Sequence, residues 1–375
     1  MKIVHILVGK ANPDTMNGVN KVVHFLATEQ HRAGHDVQVW GLTNSKNRPV
    51  HAHEYELRTF PMSKLKFSLS RELKVALGEL KPGCRVHLHG VFIPEFAIIS
   101  RYLRRRKIAY GVSPHGGFAP GSLRQNGFMK RVFITLFDGP MLAHADLVHA
   151  VCDGERNDVA RMVPGARTIT VPNGQDLRFL DGFVATAMSA RRPVFGFSGR
   201  LDMTTKGLDL LLEGFAEYKR GGGQGVLWIL GDGRDRQVLE NMVTGLGLTA
   251  DVSFLGARFK DEKLQALANM DLFVSTSRRD VMPTSCLEAA AMGKPLLVSK
   301  ETNLGDYVTA FGAGIVLEKN EPKNIAAAMK IFEARFLSDD LATFARNSRS
   351  MIEKELNWET VAARWTKEAY VGACS

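Results

Sequence analysis

Phe195-Gly196-Phe197-Ser198-Gly199-Arg200-Leu201-Asp202-Met203-Thr204-Thr205-Lys206-Gly207 leaves a short apolar run and enters a helical one. Residues 193–198 read as a strand and 208–218 as the helix that follows, with Gly199 letting the chain turn sharply between them. The alternation continues downstream. Residues 226–230, 252–255, 272–275 and 296–298 are strand candidates, and 235–246, 263–268 and 286–292 are helical. Strands alternating with helices of this length imply βαβ units and a parallel sheet, whose ligands sit beyond the carboxyl ends of the strands.

Upstream, the same style has already run once. Strand candidates fall at 2–8, 35–40, 85–88, 109–112 and 147–151, with helical periodicity at 19–34 through Val22, Val23, Leu26 and Ala27. Two doubly wound halves meet near residues 173–192, where Gly174-Gln175-Asp176 opens a poorly patterned stretch. The expected fold is α/β, two Rossmann-like domains facing a cleft. The first spans 1–175 with a returning C-terminal helix at about 357–375, and the second spans 176–356. That last helix carries Trp358, Val361 and Trp365 as its apolar stripe.

At 375 residues, 45% hydrophobic and 23% charged, the chain suits two globular domains and not a disordered polymer. No run reaches the ~18–20 apolar residues of a membrane span. The N-terminus lacks the pattern of a secretory signal, and Cys84, Cys152, Cys286 and Cys374 show no metal-like spacing. A reduced, cytoplasmic protein is expected. Residues 1–185 hold 25 Lys and Arg against 15 Asp and Glu, whereas residues 186–375 hold 24 of each. Arg101, Arg104, Arg105, Arg106 and Lys107 form the densest cluster. Residues 121–137 then mix Arg124, Lys130 and Arg131 with Phe128, Val132, Phe133, Leu136 and Phe137. This pattern fits either a helix on an anionic membrane surface or a solvated basic face over an ordinary core. No nucleic-acid-binding motif accompanies it, and nucleic acid is not an expected partner.

Arg200 and Lys206 follow one strand and precede a helix. Fixed cations beside a helix N-terminus suit a diphosphate, although loop cations are also commonly just solvated. The second chemical segment runs Ser275-Thr276-Ser277-Arg278-Arg279-Asp280-Val281-Met282-Pro283-Thr284-Ser285-Cys286-Leu287-Glu288. Here a helix is expected to open near Ser285 with Glu288 in its first turn, as a capping-box acid or as a ribose-binding carboxylate. Amides at Met282, Pro283, Thr284 and Ser285 stand at the same helix start, of which those not from proline can donate to phosphate or sugar oxygens. His115 sits in a Pro-His-Gly-Gly turn, a setting for a loop hydrogen-bonder or for a catalyst. His87 and His89 alternate along a strand end without an evident third metal ligand.

Together the two segments resemble the C-terminal domain of glycosyltransferase family 4, the retaining enzymes with the GT-B fold. Leu230-Gly231-Asp232-Gly233, Val252-Ser253-Phe254-Leu255-Gly256 and residues 267–275 follow in the family's order, so the resemblance covers roughly 193–300. Asn17-Gly18-Val19, Ser113-Pro114-His115-Gly116-Gly117 and Val171-Pro172-Asn173-Gly174 extend it more loosely into the first half. The resemblance implies that Arg200 and Lys206 bind the diphosphate, that Asp280 lies near the donor sugar and that Glu288 binds ribose. It further implies that Gly18 lets the first helix approach phosphate, that His115 lies on the acceptor side and that backbone at Ala257 and Arg258 meets the base. Asp280 stands one methylene short of the family's usual Glu, and Asn17 replaces the first of two glycines.

The expected reaction is transfer of a hexose from a UDP- or GDP-linked sugar to a saccharide or lipid-linked acceptor. The chain has no Asp-x-Asp motif, so no metal or other cofactor is expected, and Arg200 and Lys206 take the charge of the leaving diphosphate. Retention is expected by front-face attack, with His115 orienting the acceptor or the sugar. A nucleotide-sugar epimerase and a nucleotide-binding pseudo-transferase are the competing readings. A dehydrogenase would need Gly-x-Gly-x-x-Gly after the first strand, and residues 9–17 lack it.

Overall fold

The computed structural model describes residues 1–13, 18–45, 52–63, 65, 67–124, 127–186, 192–338 and 340–371, without the side chains of Ser122, Arg124 and Val371. Asn17 and Cys374 lie outside the described residues. The chain forms two compact units, Met1–Gly174 with Trp358–Ser375, and Gln175–Asn357.

The first unit is a seven-stranded parallel sheet. Its strands are β1 (Lys2–Val8), β2 (Asp36–Leu42), β3 (Glu56–Phe60), β4 (Arg85–His89), β5 (Ala109–Ser113), β6 (Leu147–Ala150) and β7 (Thr168–Thr170). Their spatial order is β3-β2-β1-β4-β5-β6-β7, so the order reverses between β1 and β4. Strand pleating divides β1 between two cores. Val4 and Ile6 join Leu73, Leu77, Phe96 and Leu103 on one face. Ile3 and Leu7 join Val23, Leu26, Val361 and Trp365 on the other, under the helices Gly18–Arg32 and Trp358–Thr366. Trp358, Val361 and Trp365 are therefore all buried within this unit.

The second unit is a six-stranded parallel sheet of β8 (Val194–Ser198), β9 (Val226–Leu230), β10 (Val252–Gly256), β11 (Leu272–Ser275), β12 (Leu296–Ser299) and β13 (Gly314–Leu317). Its order is β10-β9-β8-β11-β12-β13, reversing between β8 and β11. These two strands are fully buried, as a central parallel strand covered on both faces must be. Phe195, Phe197, Leu211, Leu212, Phe215 and Phe332 fill the core beneath. The result is a two-domain Rossmann-like α/β fold.

Candidate active site

In the second unit the chemistry collects where the strand order reverses, at the carboxyl ends of β8 and β11. A loop beyond such a reversal has helices diverging on either side and leaves a crevice for ligand. After β8 the chain makes the short helical turn Met203–Lys206. Asp202 caps it, accepting the Thr205 amide at 3.2 Å, while Asp235 accepts the Met203 amide at 2.8 Å. Gly207 then reverses the chain at φ 61°, a conformation glycine adopts without penalty. A Cβ there would lie 2.1 Å from the Thr276 carbonyl oxygen, so only glycine lets the two loops close together.

That approach brings Lys206 into a direct ion pair with Asp280. The Asp280 loop is held from several sides. Its backbone amide donates to Glu301, its carbonyl accepts from the Asn303 side chain at 2.6 Å, and Asn320 donates to the carbonyls of Thr276 and Ser277. Arg278 grips Asp209 with two bonds of 2.6 and 2.7 Å. Arg200 differs from Lys206. Its side chain is 65% exposed, and Asp202 is 3.9 Å away. A loosely held guanidinium of this kind is available to an incoming anion.

The helix expected near Ser285 is Thr284–Ala291, with Pro283 before it and no side chain capping its start. Met282 and Pro283 are buried, and Thr284 and Ser285 half-buried. The capping-box reading of Glu288 is corrected here. Glu288 lies in the second turn, beyond reach of the helix start, and forms an ion pair with Lys263. Lys263 lies on the helix Lys260–Ala268 and was not among the residues expected from the sequence. Ala257 and Arg258 are exposed just beyond β10, where Gly256 turns the chain, and Arg258 pairs with Glu262 at 3.2 Å. Cys286 is inert, since burial raises its thiol pKa to about 12.

In the first unit Gly18 opens the helix Gly18–Arg32, and a Cβ on it would meet nothing within 4 Å among the described residues. His115 occupies the turn after β5 at φ 51°, partly exposed. Glu155 accepts the Gly116 amide beside it and the Val151 amide at 2.8 Å, which pins this turn to the end of β6. The inner ring nitrogen of His115 contacts His89, and His89 contacts His5. Ser113 bridges His87 and His149 at 2.7 and 2.9 Å. Trp365 lies edge-on over His87 and His149. Burial keeps all five rings neutral, lowering His5 and His149 to about 4 and His115 to about 3, and holding His87 and His89 well below the ordinary range. As for metal binding by His87 and His89, no group of three His, Cys, Asp or Glu among the described residues is arranged to hold an ion.

Residues 184–351 match the family described as Glycosyl transferases group 1, and residues 17–174 match the Glycosyl transferase 4-like domain. The chain is 27% identical to the lipopolysaccharide core biosynthesis glycosyltransferase LpsE of Rhizobium meliloti over 49% of each protein, so it spans about half the length of that relative. It is 24% identical to the glycogen synthase of Mycobacterium tuberculosis over 96% of this chain and 92% of that one. The fold superposes on Anabaena HepE, solved in complex with UDP-glucose, with a TM-score of 0.72 and 16% identity, covering 98% of this chain and 99% of HepE.

Proposed function

Because the chain belongs to the glycosyltransferases of family 4, with their two-domain GT-B fold, we propose that it transfers a hexose from a nucleotide diphosphate sugar with retention of configuration. The observation that carries this reading is the Lys206–Asp280 pair at the strand reversal of the second unit, beside a helix start that no side chain caps. Departure of the donor develops negative charge on the diphosphate. Lys206, Arg200 and the amides at Thr284 and Ser285 supply the opposite charge there without a divalent metal. Asp280 orients Lys206 and accepts from hydroxyls of the donor sugar. Glu288 takes the ribose hydroxyls with Lys263 steadying its carboxylate, and backbone at Ala257 and Arg258 meets the base.

On the first unit, His115 takes a hydroxyl of a substrate sugar, and Gly18 brings no side chain to the start of the first helix. Attack on the donor's leaving face lets the departing diphosphate oxygen take the acceptor's proton. HepE was solved with UDP-glucose, which makes UDP-hexoses the first donors to test and GDP-hexoses the second. The likeness to LpsE points to a saccharide or lipid-linked acceptor in cell-surface polysaccharide synthesis.

The basic first unit also suits an anionic membrane surface on the cytoplasmic side. No residue of the helix Gly127–Phe133 is buried, and Phe128, Met129 and Leu136 stand exposed. Lys130 lies over Phe92 and Arg101 over Phe137, so cations flank this apolar face. No helix among the described residues is long and apolar enough to cross a membrane. Incubating the protein with UDP- and GDP-hexoses and lipid-linked oligosaccharide, with and without EDTA, tests the reading. It expects an α-linked product from an α-linked donor in both conditions. An inverted product, or transfer abolished by EDTA, counts against it.

A further inference from the structure

Four buried histidines, His5, His87, His89 and His149, with the partly exposed His115 beside them, need explanation, because a buried ring nitrogen without a partner is costly and Nδ1 of His87 has none among the described residues. They arise from parity. His5 on β1 and His87 on β4 are register partners, and His89, two residues on, opposes Ser113 on β5. Gly111 makes room for the patch, since a Cβ there would lie 2.6 Å from Nδ1 of His87.

A continuous hydrogen-bonded chain leads out of the patch. Gln30 donates from Nε2 to Thr366 Oγ1 at 3.1 Å and presents Oε1 to His5 Nε2 at 2.7 Å. With the Gln30 amide in this orientation His5 carries its proton on Nε2, and its neutral Nδ1 accepts from His89 Nε2 at 2.9 Å. His89 in turn accepts on Nδ1 from His115 Nε2 at 3.0 Å. Each neutral ring has one proton, so a single amide orientation dictates every tautomer along the chain. At its outer end, Nδ1 of His115 is left as a lone pair, without a partner among the described residues.

We propose that His89 and His5 are positioning residues, which lock His115 as the Nε2–H tautomer and make its Nδ1 an obligate acceptor for a sugar hydroxyl. The inference rests on the reading above that His115 touches substrate. It adds that His115 cannot donate a proton to the leaving group from Nδ1. It also names two residues, buried away from solvent, on which turnover depends. His87, Ser113 and His149 form a separate branch, fixed by the bond from His149 Nε2 to the Val171 carbonyl at 2.8 Å. This branch does not reach His115 by hydrogen bonds.

The direct test is a long-range ¹H–¹⁵N spectrum of the full chain labelled with ¹⁵N-histidine, at neutral pH and without substrate. His115 is identified by its loss in His115→Asn. The relay predicts a protonated Nε2 and a bare Nδ1 for His115, and scrambling of the two forms in His89→Phe. Turnover should fall about 10-fold in His89→Phe, the low end for partners behind a functional histidine. It should recover in His89→Gln, whose amide accepts from His115 and donates to His5, with donor KM unchanged throughout. A wild-type His115 carrying its proton on Nδ1, or exchanging between forms, overturns the relay while leaving the transferase reading intact. The locked form in a protein that transfers no sugar counts against the transferase reading and not against the relay.

Discussion

Lys206 and Asp280 lie 74 residues apart in the chain and meet as an ion pair at the two neighbouring strand ends where the second sheet reverses its order. The side chains are only 19% and 18% exposed, so each charge is partly desolvated and depends on the other. Lys206→Ala should lower kcat by about 10²–10³-fold, the loss typical of one donor to a developing oxyanion. Arg200→Ala should cost a similar factor with less loss of stability, because Arg200 is largely exposed. Steady-state kinetics beside thermal melting separates the two. Equal melting losses would contradict the difference in burial.

Glu288 and Lys263 divide the work differently. Glu288→Gln keeps the shape but removes the charge, so donor KM should rise about 10-fold with little change in kcat, from losing one charge-assisted bond of about 1.5 kcal/mol. Lys263→Met should shift KM in the same direction by less. A fall in kcat at unchanged KM in either variant would mean that Glu288 acts on the reacting sugar and not on ribose.

The two parallel sheets and most of their strands were legible in the sequence, and what escaped it did so for separate physical reasons. The central strands β1, β8 and β11 are mainly apolar because both faces are covered, whereas β4 alternates Val86 and Leu88 with Arg85, His87 and His89. β3, β7 and β13 gave no such signal. All three are sheet edges, with partly exposed residues and no clean alternation. Arg200, Lys206, Asp280 and Glu288 stood out through the two segments that resemble family 4, since each charge taken alone reads as an ordinary solvated or capping residue. Lys263 did not, since a lysine on a helix is ordinary until its partner is known. His5 was hidden inside an apolar strand, where one histidine carries no periodic signal. Only the parallel register of β1, β4 and β5 brings His5, His89 and Ser113 side by side.

The same histidines set the response to acid. The folded protein holds His5, His115 and His149 at about 4, 3 and 4, whereas the unfolded chain binds protons near the ordinary value of 6.5. The unfolded state therefore carries more protons as pH falls below 6.5, and stability drops until the folded rings themselves titrate. Asp138 works in the opposite direction. Burial raises it from 3.8 to about 7, so the stability gained by holding its proton disappears as pH rises through that window. Chemical denaturation should show stability falling from pH 6.5 to 4 by at least about 3 kcal/mol, the effect of roughly two and a half pKa units on one ring. Asp138→Asn should flatten the opposing contribution and stabilise the protein above pH 7. A profile that is level between pH 4 and 7 in that variant would contradict neutral buried rings.

Exposed Phe128 and Met129 give the membrane reading its handle. Phe128→Ser with Met129→Ser should weaken binding to vesicles containing phosphatidylglycerol by about 30-fold or more, read by sedimentation, since each lost side chain removes roughly 1–2 kcal/mol of apolar burial. Raising salt from 0.1 to 1 M shortens the screening length from about 10 to 3 Å and should weaken binding of the wild-type protein. Equal binding to neutral vesicles would contradict a role for the basic cluster.

The central claim is that Arg200 and Lys206 receive the leaving diphosphate. A crystal soaked with a non-hydrolysable UDP-sugar measures this directly. The diphosphate oxygens should lie within hydrogen-bonding distance of Arg200 and Lys206, above the start of the helix Thr284–Ala291. A diphosphate bound elsewhere on the protein, with the Lys206–Asp280 pair undisturbed and no phosphate contact to Arg200, would contradict the account.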